Sequence, residues 1–326
     1  MKKLTVKLTA MVGCLFAYSE YTIAACVQNS SFNNLQSNIP SRVFTIQYDD
    51  TTVRNLDTLT VSYSSSTLNT YAPNSGECGP SYLRGNYVNG WTPDANKVAA
   101  TNIPGIGIVV QTASIGNFNS SFGPAGAGQH SWQVYTTSWT IVIKKTGVVT
   151  TTGSLKSGTV ARLTQTNPAP YNSTWNLANL NMPANAIQIK VLSCSLKNSV
   201  PVINMGDWYD TQFKNIGDTS TDVDIPITLS CLQGTNIKAT VTATSGVNNA
   251  SQGQLALSGT NKATGVAIQI VDKAGKPIPL GTKNTVQNNV PNGDYIFGWK
   301  ARYIKTANSI TPGPANATAT VNIRYE

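Results

Sequence analysis

The sequence predicts an all-β protein of two β-sandwich units behind a secretory leader, and three observations carry that prediction. Charged residues make up only 11% of the chain. Thr, Ser, Asn, Val and Ile dominate instead, a composition that suits strands and turns rather than solvated helices. Short runs of alternating apolar and polar residues recur between Gly, Asn, Pro and Ser, and no long stretch holds a 3.6-residue period. Four of the five cysteines lie beyond residue 25, two in each half of the remaining chain.

The leader comes first. Lys2, Lys3 and Lys7 form a basic start, 8–18 is mostly apolar, and Ala24 and Ala25 close the segment with small side chains. That pattern is a bacterial export signal over 1–25. Its apolar run falls short of the ~20 residues a membrane-spanning helix needs. Ile23-Ala24-Ala25-Cys26 also fits a lipid-attachment box, but lipid on Cys26 would strand Cys78 as a free thiol. With Cys14 leaving in the leader, an exported chain keeps an even set of cysteines. Pairing within each half gives Cys26–Cys78 and Cys194–Cys231.

The remaining chain is long enough for two domains of ~100–200 residues each. In the first, 26–185, strands are expected at 43–48, 58–63, 107–114, 137–144 and 159–164. Leu59, Val61 and Tyr63 share one face of their run. Residues 120–129, rich in Gly, Ala and Ser, read as a loop. From 167 to 185 the pattern breaks at Pro168, Pro170 and Pro183, and 182–185 reads as a connection with few contacts. The boundary is placed near Ala186.

The second unit, 186–326, reads as an immunoglobulin-like set of strands at 187–192, 223–229, 238–244, 266–271, 295–304 and 317–325. Turns are expected at 273–277 and 291–294. The last run is the most regular in the chain. Ala319, Val321, Ile323 and Tyr325 point one way, and Thr318, Thr320, Asn322 and Arg324 the other. Such a strand has an apolar face that needs a partner.

Here the chain resembles the pilins of the chaperone–usher pathway. They carry a Gly fourteenth from the C-terminus, an alternating apolar strand and a penultimate Tyr. This chain has Gly313, the alternation and Tyr325 in those places, with Cys194 and Cys231 near the start of the unit. The resemblance implies an immunoglobulin-like fold lacking its last strand. Its groove, edged by Gly313, Ala319, Val321, Ile323, Tyr325 and Glu326, is filled first by a periplasmic chaperone and then by the adjacent pilus subunit. It also implies passage through an outer-membrane usher and a terminal carboxylate held in the chaperone's basic cleft. A closed sandwich that happens to end on its last strand is the plainer alternative.

A second domain ahead of the pilin unit, with Cys26 already committed near its start, gives the layout of a two-domain tip adhesin like those of type 1 and type 3 pili. The Pro104-Gly105-Ile106-Gly107 entry to a strand is similar to one in several of them. The resemblance then implies a secreted protein carried through the periplasm to the fimbrial tip, bound to a host carbohydrate or extracellular-matrix protein. The residues after Cys78 do not match the mannose-binding pattern.

A sugar site wants an aromatic platform and a few fixed polar groups. Tyr82, Arg84, Asn86, Tyr87, Asn89, Trp91 and Asp94 offer that mixture on a segment expected to be loop-rich. Trp132, Tyr135 and Trp139 near His130 form a second aromatic cluster. The plain reading of such rings is core.

Other functions find little support. His130 is the only histidine, so Ser-His or Cys-His catalysis has one candidate, and no nucleophile elbow, phosphate loop or dinucleotide fingerprint occurs. No catalytic residue, metal or cofactor is expected. The formal charge is +9, yet the basic residues are scattered singly and form no stripe for nucleic acid. A structural or initiating minor subunit without a host receptor is the second reading.

Overall fold

A computed structural model describes residues 25–122, 132–198 and 202–326. Those residues form strands, turns and two short 3-10 segments, Ser30–Phe32 and Asp210–Gln212, with no α-helix among them. Among the described residues no helix is long and apolar enough to cross a membrane.

The first unit packs sheets face to face. One has the order Leu35–Asn38, Ser173–Met182, Gly158–Asn167, Tyr82–Tyr87, Ser120–Phe122. Against it lies Arg54–Ser62, Ser138–Lys145, Ile106–Thr112, Ala99–Ala100, and a third sheet runs Gly153–Ser154, Ile187–Leu192, Arg42–Gln47. The strand Ser138–Lys145 shows why the pattern is readable. Trp139, Ile141 and Ile143 are buried on one side while Ser138, Thr140 and Val142 are half-buried on the other. Phe32, Tyr63, Trp139 and Phe118 stack in sequence through the core, with ring centroids 5.4–5.9 Å apart, the offset and edge-on geometry aromatic rings favour. Gly85 permits that stack, because a Cβ there would lie 2.3 Å from the Phe118 ring. Pro40, with no N–H to give a ladder, separates Leu35–Asn38 from Arg42–Gln47, which pair in different sheets.

The second unit has its own core, drawn from Ile227 to Ala301. Its sheets run Cys194–Leu196, Thr228–Cys231, Gly293–Ile296; then Val223–Asp224, Lys300–Lys305, Val266–Val271, Gln254–Leu255, Val247–Asn249; and Lys283–Gln287, Ile237–Ala243, Ala319–Arg324. Disulfides join Cys26 to Cys78 and Cys194 to Cys231.

Several sequence expectations need correction. The segment expected to be loop-rich after Cys78 is the strand Tyr82–Tyr87, flanked by strands on both sides. The stretch read as broken holds the ten-residue strand Ser173–Met182, and only its flanks carry the prolines. Met182 is 1% exposed, so the connection is no more than the exposed turn at 183–185. The expected runs 223–229 and 295–304 are each split, at Pro226 and at Gly298, whose φ is +64°. Of the expected loop 120–129, residues 120–122 are a strand and the rest lies outside the described residues, as does His130.

The strand Ile187–Leu192 has bounds as expected, but Ile187, Ile189 and Val191 are buried in the first core. It pairs in parallel with Arg42–Gln47, so the chain enters the second unit as part of a sheet of the first.

Candidate functional site

The C-terminal strand Ala319–Arg324 pairs antiparallel with Ile237–Ala243 and with no other strand among the described residues. Thr244 donates its N–H to the Thr318 carbonyl at 2.8 Å. By the alternation of an antiparallel ladder, Thr320, Asn322 and Arg324 also point their backbone groups toward Ile237–Ala243. Those of Ala319, Val321 and Ile323 point to the free edge. The odd-numbered side chains pack on the second core yet stay half-buried, whereas Leu229, Ala239 and Val241 behind them are at most 1% exposed. An apolar row half-covered beside an unpaired ladder is an acceptor for another strand.

The last edge position is occupied. The Asp49 amide donates to the Tyr325 carbonyl at 2.8 Å, and the Asp49 carboxylate accepts the Tyr325 N–H at 2.8 Å and the Arg324 guanidinium at 3.1 Å. Gln47 reinforces the contact: its amide donates to the Gly234 carbonyl at 2.9 Å and accepts the Asn236 N–H at 3.0 Å. Burial and the nearby Asp49 charge push the Tyr325 hydroxyl up. The Glu326 side chain pairs with Lys283 at 2.7 Å and Lys238 at 3.3 Å. The hydrogen bond from Lys283 does most to hold the Glu326 carboxyl below its usual value. Gly313 is fixed by space, since a Cβ there would sit 2.4 Å from the Asn261 carbonyl oxygen.

The candidate receptor residues separate by side of the strand. Tyr82, Arg84 and Asn86 face outward on the side of their sheet away from the core, with the Arg84 Cζ over the Tyr82 ring at 5.2 Å from its centre. Tyr87 turns inward, giving its hydroxyl proton to backbone acceptors at Lys97 (3.1 Å) and Ile108 (3.2 Å) and accepting from the Val110 amide; burial pushes the hydroxyl up to about 12. Trp91 is 3% exposed and belongs to the core, with Lys156 Nζ 4.8 Å from its ring centre. Asn89 donates to the Thr159 carbonyl at 2.9 Å, and Asp94 accepts the amides of Asn96 and Val98 at 2.9 Å, so both brace turns. The structure therefore brings Tyr82, Arg84 and Asn86 together and sets the other four apart from them. In the second aromatic cluster Trp139 is core, Trp132 is half-buried and Tyr135 is 73% exposed.

With this geometry in hand, comparison with known proteins is decisive for the second unit. The family model described as Fimbrial protein matches residues 186–326. Fimbrial subunit type 1 of Salmonella typhimurium is 31% identical over 137 residues, covering 40% of this chain and 74% of that protein. The chain belongs to the fimbrial protein family. The type-1 fimbrial protein A chain of Salmonella typhi is similar at 32% identity over 137 residues, with coverage of 40% and 74%. Among solved structures, the receptor-binding domain of the plasmid-born adhesin MrkD1P of Klebsiella pneumoniae overlays 53% of this chain and 98% of its own, at 22% identity and a TM-score of 0.40. The pilin resemblance read from Gly313, the alternating strand and Tyr325 is thus borne out at the level of family.

Sequence reasoning about this fimbrial chain missed Asp49, Gln47, Lys238 and Lys283, which hold the end of the C-terminal strand. The two Lys residues had a local signal, since each lies on a strand beside the acceptor strand or one removed. Asp49 had none, because its partner Arg324 is 275 residues away. Arg162, beside Arg84 on the outer sheet face, was also passed over.

Proposed function

We propose that this chain is a fimbrial tip adhesin. Unit 26–185 attaches the bacterium to a host carbohydrate or extracellular-matrix protein, and unit 186–326 anchors it to the fibre by donor-strand complementation. One observation carries the reading: the free edge at Ala319, Val321 and Ile323, lined by half-buried apolar side chains. A strand laid there gains backbone hydrogen bonds along its length and pockets for every second side chain. A periplasmic chaperone supplies that strand first and the adjacent pilus subunit replaces it, with an outer-membrane usher conducting the exchange to the cell surface. The exported leader and the two disulfides suit passage through an oxidising periplasm.

Support for attachment comes from the first unit. Its core is drawn mostly from residues ahead of the fimbrial match, with Ala186, Ile187, Ile189 and Val191 of the matched segment completing it. Among the described residues its five-stranded sheet turns Tyr82, Arg84, Asn86 and Arg162 outward. A second reading, a structural or initiating subunit without a host receptor, is favoured by the fact that the similar Salmonella proteins are named a fimbrial subunit and a type-1 fimbrial protein and cover only 40% of this chain.

Full-length chain applied to glycan and matrix-protein arrays separates the two. Saturable capture by one class of molecule supports the adhesin. A chain that enters fibres and captures nothing supports the structural subunit.

A further inference from the structure

The outward face of the five-stranded sheet carries two arginines and no acid. None of Leu35–Asn38, Ser173–Met182, Gly158–Asn167, Tyr82–Tyr87 or Ser120–Phe122 contains Asp or Glu. The acidic residues of the first unit are Asp49, Asp50, Asp57, Glu77 and Asp94, all on the other sheet or in turns and loops. Arg42, Arg54, Arg302 and Arg324 each have a carboxylate partner. Arg84 and Arg162 have none among the described residues.

The register places the pair side by side. Arg162 is directly opposite Asn86, and Thr164 directly opposite Arg84. Arg84 and Arg162 are therefore diagonal neighbours, a spacing of ~7–8 Å in antiparallel sheets with the Cβ atoms somewhat closer. Both guanidiniums are held in position. Arg162 uses its Nε to donate to Asn179 Oδ1 at 3.0 Å, and Asn179, only 3% exposed, donates onward to Asn34 Oδ1 at 2.6 Å. That leaves the paired Nη groups of Arg162 for a ligand. Arg84 lies over the Tyr82 ring with its Cζ 5.2 Å from the ring centre, a cation–π contact that uses none of its N–H groups. Asn86 is exposed and Thr164 half-exposed between them, an amide and a hydroxyl able to meet sugar hydroxyls.

We infer that the exposed sheet face around Arg84 and Arg162 is the binding site for an acidic glycan, whose carboxylate or sulfate is held between the two guanidiniums. Planar, preset guanidiniums suit oxyanions because two parallel N–H bonds match two oxygens. The neighbouring Asn and Thr side chains give the hydroxyl contacts that a bare ion would not use. This assignment rests on the adhesin reading and names its ligand class. A sialylated oligosaccharide and a sulfated uronate polymer share the required chemistry.

The test is titration of the full-length chain with three probes: sialyllactose, a heparin oligosaccharide and neutral lactose. At least one acidic probe binds and lactose does not, with affinity falling as salt rises. Arg84→Gln and Arg162→Gln each weaken binding about tenfold, the size expected for one charge-assisted contact, and the double variant binds no probe. Arg42→Gln, on the other sheet, binds as the parent does. All variants keep the parent melting temperature, since these side chains lie outside the core. The acidic probe that responds identifies the source. Equal binding of lactose, or acidic binding indifferent to the double variant, overturns the assignment. Capture of a neutral glycan or matrix protein without help from either arginine also overturns it while leaving the adhesin reading intact; capture of nothing removes both.

Discussion

Asp49 of the first unit and Tyr325 of the second meet as two strands would, through a backbone hydrogen bond and a carboxylate that accepts the Tyr325 amide, each at 2.8 Å. The contact closes one end of the acceptor edge and leaves Ala319, Val321 and Ile323 open. A donor strand must therefore stop short of Tyr325 or displace Asp49. The two units share this residue pair.

Asp49→Ala should leave the fold intact while freeing that edge position. The Tyr325 amide then loses an acceptor of the charged kind, worth about 1.5–3 kcal/mol in buried settings and less where Arg324 is solvated. Faster exchange of that amide, with an unchanged rate at Val241 in the strand core, is the expected result.

Gly313→Ala tests the glycine of the family pattern. Its Cβ would lie 2.4 Å from a backbone oxygen and 2.7 Å from a backbone nitrogen, which no rotamer can relieve. Destabilisation of about 1–3 kcal/mol is expected from such overpacking, read as a lower melting temperature. Gly147→Ala, whose nearest neighbour is 4.0 Å away, serves as the control and should melt as the parent does.

How much of this was legible in the sequence depended on how each residue meets its neighbours. Val266–Val271 was found with its expected bounds because its side chains pack on the core with no interruption. Tyr82–Tyr87 was hidden by Gly85 and Asn86, which read as turn residues; the glycine is there to admit the Phe118 ring. Ser173–Met182 was hidden by its asparagines. Asn176, Asn179 and Asn181 form a side-chain hydrogen-bond ladder on the outer face, and a register shift near Ala178 spoils the alternation of Trp175, Leu177, Leu180 and Met182 beneath. The acceptor edge was readable from one strand's period. The Arg84–Arg162 pairing was not, since register between distant strands is set by packing that a single sequence does not display.

Removing the first disulfide by Cys26→Ser with Cys78→Ser should cost about 2–5 kcal/mol. Cys78 is fully buried in the first core, so the loss should appear in a melting transition of that unit. A double variant that melts with the parent would show that the bond constrains nothing.

Acid should loosen the same end of the first unit that touches Tyr325. Burial pushes the Asp50 carboxyl up, but hydrogen bonds from Thr52 and Arg54, with the Lys145 charge, outweigh it and bring the group from 3.8 to about 2. A carboxyl lowered on folding stabilises the fold above its unfolded value, and that stabilisation is lost as pH falls through the folded one. Between pH 3.8 and about 2 the parent should therefore lose stability more steeply than Asp50→Asn. Lys145, whose side chain is fully buried, donates to the Thr52 carbonyl at 2.9 Å and keeps a backbone partner in that variant.

The most direct measurement of the central claim is amide hydrogen exchange along the C-terminal strand of the full-length chain. Thr320 and Asn322, whose amides pair with Ile237–Ala243, should exchange slowly at all times. Val321 and Ile323, on the open edge, should exchange fast in the chain alone and slow on addition of the N-terminal peptide of a neighbouring fimbrial subunit. If Val321 and Ile323 are already as slow as Thr320 and Asn322 without any partner, the sandwich is closed and the acceptor account is contradicted.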